Sequence, residues 1–167
     1  MLHWNQDTVR LAAGLHRDFV RIALDNLLTR AGAVTVLGTP VDLGAIDVDA
    51  YVVAGLNDHI VPWENAYRSS LLLGRGARFV LSTSGHVQAL VNPPAPDSRA
   101  GYHVSEERRP DADGWLDHAA TERGSWWPDY ARWLADRSGE VKLAPKRLGG
   151  RGHRALAKAP GSYVHAA

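Results

Sequence analysis

The sequence predicts an α/β fold, and three features carry that prediction. Two short, continuous apolar runs, Ala50-Tyr51-Val52-Val53-Ala54-Gly55 and Ala77-Arg78-Phe79-Val80-Leu81-Ser82, have the unbroken texture of strands covered on both faces. Between them the chain reads as a helix from Pro62 to Leu73, with proline tolerated in the first turn and Gly74 as the stop. Strand, helix and strand within ~30 residues make a βαβ unit, which requires parallel pairing and helices packed on the sheet.

Length and composition bound what such a fold can be. A chain of 167 residues suits one core of ordinary size. Its 45% hydrophobic and 22% charged residues exclude a wholly disordered or membrane-embedded polypeptide. A formal charge of +1 gives no overall field for nucleic acid or an anionic membrane. The cysteine count is 0, which excludes disulfides, thiolate metal sites and a cysteine nucleophile within this polypeptide. Met1 leads into the polar run His3-Trp4-Asn5-Gln6-Asp7 rather than a secretory leader, and no stretch approaches the ~20 apolar residues of a membrane span. A cytoplasmic protein is the expectation.

Taken in order, Val9, Leu11, Leu15, Phe19, Val20, Ile22, Ala23, Leu27 and Leu28 recur at spacings of three and four. They predict one or two amphipathic helices over residues 7–29, capped by Asp7 or Thr8. Short apolar residues around Gly38-Thr39-Pro40 predict a small hairpin within Val34 to Leu43. The βαβ unit follows, ending in the polar loop Thr83-Ser84-Gly85-His86. Residues 93–110, rich in Pro, Ser, Gly and charge, read as a surface excursion. Helical texture returns near 113–120 and over 125–137, where Trp126, Trp127, Tyr130 and Trp133 form an aromatic face. That face reads as a satellite core before it reads as the wall of an apolar substrate path. Beyond Ser138 an irregular tail carries Lys142, Lys146, Arg147, Arg151, Arg154 and Lys158 against a lone Glu140; it reads as a solvated terminus.

Functional groups of α/β folds collect where the carboxyl ends of strands enter loops. Two polar loops hold that place here, Gly55-Leu56-Asn57-Asp58-His59 and Ser82-Thr83-Ser84-Gly85-His86. Parallel strands bring such loops together, and Asp58 followed by His86 matches the acid and histidine of a triad in the α/β-hydrolase chain order. In such a pair the imidazole takes a proton from the nucleophile while the carboxylate fixes its tautomer and stabilises the imidazolium. The alternative is structural: Asp58 caps the helix entered through Pro62, and His86 is an ordinary loop histidine. Spacing alone favours that alternative, because short Asp and His loops are common. His59 adjoins Asp58 and reads as supporting, while Trp63 and Tyr67 share one helical face and read as packing residues.

No nucleophile elbow of Gly-x-Ser-x-Gly form is present, and Ser82, Ser84 and Gly85 do not make one. Phosphate-cradling glycine motifs and His-Glu-x-x-His are absent too. The sequence offers an acid and a base with nothing beside them to activate, and predicts no metal site.

The strings Val52-Val53-Ala54-Gly55-Leu56-Asn57-Asp58-His59-Ile60-Val61-Pro62-Trp63, Tyr67-Arg68-Ser69-Ser70 and Arg78-Phe79-Val80-Leu81-Ser82-Thr83-Ser84-Gly85-His86-Val87-Gln88 resemble poly(3-hydroxyalkanoate) synthases. So do Trp4-Asn5-Gln6-Asp7-Thr8-Val9-Arg10-Leu11, Pro40-Val41-Asp42-Leu43, Asn92-Pro93-Pro94, Gly124-Ser125-Trp126-Trp127-Pro128 and Ala159-Pro160-Gly161-Ser162-Tyr163-Val164, in the same order. The resemblance covers nearly the whole chain. It implies a partial α/β-hydrolase-like fold, with closing parallel strands and flanking helices after the end of a helical cap. It also implies transfer of (R)-3-hydroxyacyl groups from coenzyme A thioesters onto a growing polyester, with no cofactor beyond that substrate. In the family scheme a cysteine carries the acyl chain, the histidine is the base and the aspartate supports it. Asp58 and His86 fall on those last two positions, which reverses the preference for the structural alternative; His59 and Trp63 fall beside them.

The family's cysteine belongs to a Gly-x-Cys-x-Gly box that this sequence lacks. By resemblance, residues 1–30 match the end of the cap, 31–137 the closing strands and helices, and 138–167 the basic tail. The expectation is the C-terminal portion of a synthase, inactive alone and of marginal stability because its strands lack neighbours. Homodimerisation and association with polyester granules are the partner expectations. The competing readings are a non-catalytic module that binds granules or full-length synthase, and an esterase, which would need the missing serine elbow.

Overall fold

A computed structural model describes residues 8–147 and 149–165. They divide into two compact units: one spans Asp18–Ser138, and the other takes in the described residues before and after it.

Helix α1 (Ala13–Leu24) starts at Ala13 and is followed by a short 3₁₀ turn at Leu27–Thr29. It therefore begins later than expected, and the cap residue Asp7 lies outside the described residues. Its apolar face exists but covers nothing: no α1 residue is buried, and Leu15, Phe19, Val20 and Leu24 are all exposed. The expected hairpin forms from β1 (Thr35–Val36) and β2 (Thr39–Pro40), turning at Leu37 and Gly38, both with positive φ.

The βαβ unit forms as the sequence predicts. Strand β3 (Ala50–Gly55) pairs in parallel with β4 (Ala77–Ser82), in register from Ala50 opposite Ala77 to Gly55 opposite Ser82. Helix α2 (Trp63–Leu71) connects them, and the single turn of α3 (Gln88–Val91) follows β4. Period-two alternation sends Val52, Ala54, Phe79 and Leu81 to one face, where Trp63 and Tyr67 of α2 and Trp115 of α4 (Ala112–His118) close over them. Phe79 and Trp115 meet edge to face at 4.9 Å. Tyr51, Val53 and Val80 go to the other face and pack with Tyr102, Trp126 and Tyr130. The aromatic face of helix α5 (Trp127–Ala135), with Trp126 at its cap, is thus a satellite core. Both sheet faces are covered, which explains why the two runs are apolar without interruption.

One expectation fails. Residues 93–110 are not a plain surface excursion: Gly101–Val104 form strand β5, antiparallel to β4, and Ala120–Arg123 form β6, antiparallel to β5. The sheet is mixed, in the order β3-β4-β5-β6, instead of closing with parallel strands throughout. Four-residue strands are too short for periodicity to betray, and β5 is flanked by turn-forming residues that mask it. Strand β4 consequently has neighbours on both sides, so the open edge expected of both strands belongs, among the described residues, to β3. In the second unit, Gly149–Gly150 (β7) and His153–Arg154 (β8) make a two-residue antiparallel ladder.

Candidate active site

Parallel pairing makes the loops after β3 and β4 leave the sheet side by side, and backbone bonds zip them together. Leu56 N–H donates to Ser82 O at 2.8 Å, and Asn57 N–H donates to Ser84 O at 3.2 Å. The Asn57 side chain adds a third link, from Nδ2 to Thr83 O at 2.8 Å. Thr83 in turn holds the start of β5, its Oγ1 accepting from Gly101 N–H at 3.0 Å. Gly55 lets the loops approach: a Cβ there would stand 2.8 Å from Ser84 O and 2.9 Å from the Ala89 Cβ.

Within this junction Asp58 and His86 meet. His86 Nδ1 lies 2.8 Å from Asp58 Oδ2 and 3.0 Å from Oδ1. Ionised carboxylates only accept, so Nδ1 carries a proton, and in the neutral ring Nε2 holds the lone pair. Nε2 has no hydrogen-bond partner among the described residues. Asp58 is also fixed from behind, its Oδ1 accepting from Ile60 N–H at 2.9 Å and Val61 N–H at 3.0 Å. The bond from Val61, then those from His86 and Ile60, hold the carboxyl down at about 2 against the opposing effect of burial. Asp58 stays ionised in neutral solution. The structural alternative is not realised as a cap, since Pro62 holds the cap position of α2 without a side-chain bond; Asp58 orders the turn before it and binds His86.

Asp58 is 10% exposed and His86 39%. The pair lies at a groove of about 190 Å³ whose other lining residues, Val53, Ala54, Gly55, Val61, Ala66, Ala89 and Leu90, are apolar or glycine. Such walls strengthen electrostatics inside and accept an aliphatic chain. His59 is exposed, with its ring edge-on to His86 at 6.3 Å between centroids. Trp63 goes elsewhere, into the core, 6.4 Å from Trp115. Among the described residues, no three His, Cys, Asp or Glu side chains come together to hold a metal ion. No helix there is long and apolar enough to cross a membrane.

Two groups of residues escaped the sequence reading. Asn57 lay inside a quoted loop, but its clamping role depends on which carbonyl faces it. At the opposite, amino-terminal end of the strands, buried Asp129 of α5 accepts from Tyr51 Oη at 2.7 Å and from Arg78 Nε and Nη2, both at 2.9 Å. Burial pushes the Asp129 carboxyl up, yet the bonds from Arg78 and Tyr51 outweigh it and leave it below its ordinary value. An acid at position 129, within a helix face otherwise made of Trp126, Tyr130 and Trp133, was the available signal.

No protein-family model matches the chain. Individual relatives do. It is 44% identical over 165 residues to a poly(3-hydroxyalkanoate) polymerase 1 of Ectopseudomonas oleovorans, covering 99% of this chain and 29% of that protein. It is 42% identical over 168 residues to the poly(3-hydroxyalkanoate) polymerase subunit PhaC of Cupriavidus necator, covering 99% and 28%. The PhaC subunit of Rhizobium meliloti is 34% identical over 165 residues, covering 98% and 26%. The chain therefore spans less than a third of the length of these curated relatives, and its similarity to poly(3-hydroxyalkanoate) polymerases runs through nearly all of its own residues.

Proposed function

We propose that Asp58 and His86 are the acid–base half of an acyl-transfer site of the poly(3-hydroxyalkanoate) polymerase kind, acting on a nucleophile that these residues do not supply. The observation that carries the proposal is the 2.8 Å bond from His86 Nδ1 to a carboxylate already fixed by two backbone amides. In this reading β3 and β4 are closing strands of an α/β-hydrolase-like sheet, and acid precedes histidine as that order requires. His86 Nε2 takes the proton from an attacking thiol as its sulfur forms a bond to the thioester carbonyl carbon. The carbon–sulfur bond to coenzyme A then breaks, and the imidazolium returns the proton to the leaving thiolate. A chain-end hydroxyl attacking the acyl-enzyme carbonyl carbon is deprotonated by the same nitrogen; the new carbon–oxygen ester bond replaces the carbon–sulfur bond to the enzyme, and the imidazolium returns the proton to the freed enzyme thiolate. Asp58 stabilises the imidazolium in each step.

With no cysteine in its 167 residues, the chain alone is expected to release no coenzyme A from (R)-3-hydroxybutanoyl-CoA. A chimera in which it replaces the aligned segment of the Ectopseudomonas oleovorans polymerase is expected to release the thiol. Turnover by the purified chain, or a folded chimera that binds thioester without turnover, would overturn the reading.

The uncovered apolar face of α1, with Phe19 54% exposed and Leu24 81%, favours a companion role in association with a polyester surface. Co-sedimentation of the chain with granules, lost in Phe19→Ser, is the expected result; unchanged sedimentation of the variant would refute it.

A further inference from the structure

A pocket of about 380 Å³ lies where β3 and β4 begin, at the end of the strands opposite the candidate active site. The six residues of β3 put about 17 Å of strand between this end and the Asp58–His86 junction. Four arginines line it, Arg75, Arg78, Arg108 and Arg137, against two carboxylates, Asp49 and Glu106. Both carboxylates are engaged. Asp49 Oδ2 accepts from Arg137 Nε at 2.9 Å and Nη2 at 2.6 Å, and its Oδ1 lies 3.2 Å from Arg75 Nε. Glu106 pairs with Arg78, which buried Asp129 holds from behind. Arg108 is left over: its Nη2 donates to Leu71 O at 3.3 Å, and it has no carboxylate partner among the described residues. Gly76 seats its guanidinium, since the backbone there has a φ of 97° and a Cβ would stand 2.7 Å from Arg108 Nη1. Arg137 in turn lies over the Trp133 ring, with Cζ 4.2 Å from the centroid.

The lining thus carries two positive charges in excess, and counting Asp129 with its second partner Arg132 leaves that excess unchanged. Guanidinium groups do not shed their protons, so arginines gathered in one pocket repel one another until an anion joins them. A cation is repelled here, and an uncharged occupant would leave the excess in place. A terminal diphosphate group meets both requirements. It carries at least two negative charges, and its adjacent phosphates can engage guanidinium forks on two separate segments, Arg75 after α2 and Arg108 after β5. We infer that this pocket binds a terminal diphosphate group, either as the free anion or at the end of a nucleotide. The inference stands apart from the acyl-transfer reading, because no residue of the Asp58–His86 junction lines the pocket.

The test titrates pyrophosphate and ADP separately into the isotope-labelled 167-residue chain at low ionic strength, followed by amide NMR. The expected result is saturable shifts at Gly76, Ser105 and Arg108 in both titrations, with Asp58 and His86 unmoved and orthophosphate binding about tenfold more weakly than pyrophosphate. Pyrophosphate binding more tightly than ADP assigns the pocket to the free anion, and the reverse order assigns it to the nucleotide. Arg108→Ala should weaken pyrophosphate about tenfold, whereas Arg151→Ala, which removes the same charge from the tail, should leave its affinity unchanged. Arg75→Ala, on a separate segment, should show the same loss and serves if Arg108→Ala does not fold. The chimera described above should bind pyrophosphate at the same residues; a chimera that binds none, while the chain does, would show that the rest of the polymerase fills the pocket and would overturn the inference. No saturable shift in the parent, shifts centred on His86, an equal loss in Arg151→Ala, or citrate or coenzyme A binding as tightly as pyrophosphate would overturn it as well.

Discussion

Gly55→Ala is the sharpest perturbation of the loop junction. The added Cβ would lie 2.8 Å from Ser84 O and 2.9 Å from the Ala89 Cβ, where ordinary contact begins at about 3.5 Å. Both obstacles belong to the segment that carries His86, and neither is the far end of a flexible side chain. That segment must therefore retreat by about 0.6–0.7 Å. The His86–Asp58 bond starts at 2.8 Å and would pass the limit of about 3.2 Å for a useful hydrogen bond. Overpacking of this size costs about 1–3 kcal/mol, and a domain of this length loses about 2–4 °C in Tm for each kcal/mol. Nitrogen-edited NMR of the histidine rings reads the bond itself, because the parent should hold His86 with the proton on Nδ1. In Gly55→Ala that tautomer preference should fade together with the loss of stability. A variant that melts like the parent and keeps the Nδ1–H signal would refute the argument that close loop approach creates the pair.

Two further predictions concern the carboxylates. Asp58 is depressed from 3.8 to about 2, so its contribution to stability is present above pH 3.8 and drains away as pH falls towards 2. In acid titrations followed by circular dichroism, the stability gap between the parent and Asp58→Asn should narrow across that window; a constant gap would contradict the assignment. At the other end of the strands, Asp129→Ala removes the acceptor of the Tyr51 hydroxyl and leaves Arg78 paired only with exposed Glu106, with burial and Asp129 currently holding the Tyr51 hydroxyl well above its ordinary value. Arg78 keeps 19% side-chain exposure, so the cost should sit near the low end for a broken buried pair, about 3 kcal/mol. Urea unfolding followed by tryptophan fluorescence measures it, and a loss below 1 kcal/mol would show that water replaces the carboxylate freely.

Legibility in the sequence followed the range of the interactions. Strands β3 and β4 could be read to the residue, because burial on both faces makes each an unbroken apolar run and Gly or polar residues end it. Helix α2 was legible from Pro62 and Gly74 for equally local reasons. Strand β5 was not: its four residues, Gly101–Val104, gain their conformation from pairing with β4 and from Thr83, neither of which a local pattern reveals. For the candidate site, parallel adjacency of two loops was inferable, so Asp58 and His86 could be named together. Their bond depended on finer matters, namely the missing Cβ at Gly55 and the reach of Asn57 to one carbonyl. The Asp129 cluster was hidden for a related reason, since its partners Tyr51 and Arg78 lie far away in sequence on two different strands. Helix α1 shows the converse, a clear amphipathic pattern whose apolar face finds no cover among the described residues.

The central claim is that His86, oriented by Asp58, moves the proton in acyl transfer. It is tested most directly by the rate of coenzyme A release in the chimera that carries this chain in place of the aligned segment of the Ectopseudomonas oleovorans polymerase. The account predicts that His86→Ala lowers kcat by about 10²–10⁴ with KM little changed. It also predicts that Asp58→Asn lowers kcat and moves the pH profile, because the imidazolium loses its carboxylate. A His86→Ala chimera that releases the thiol as fast as its parent would contradict the account.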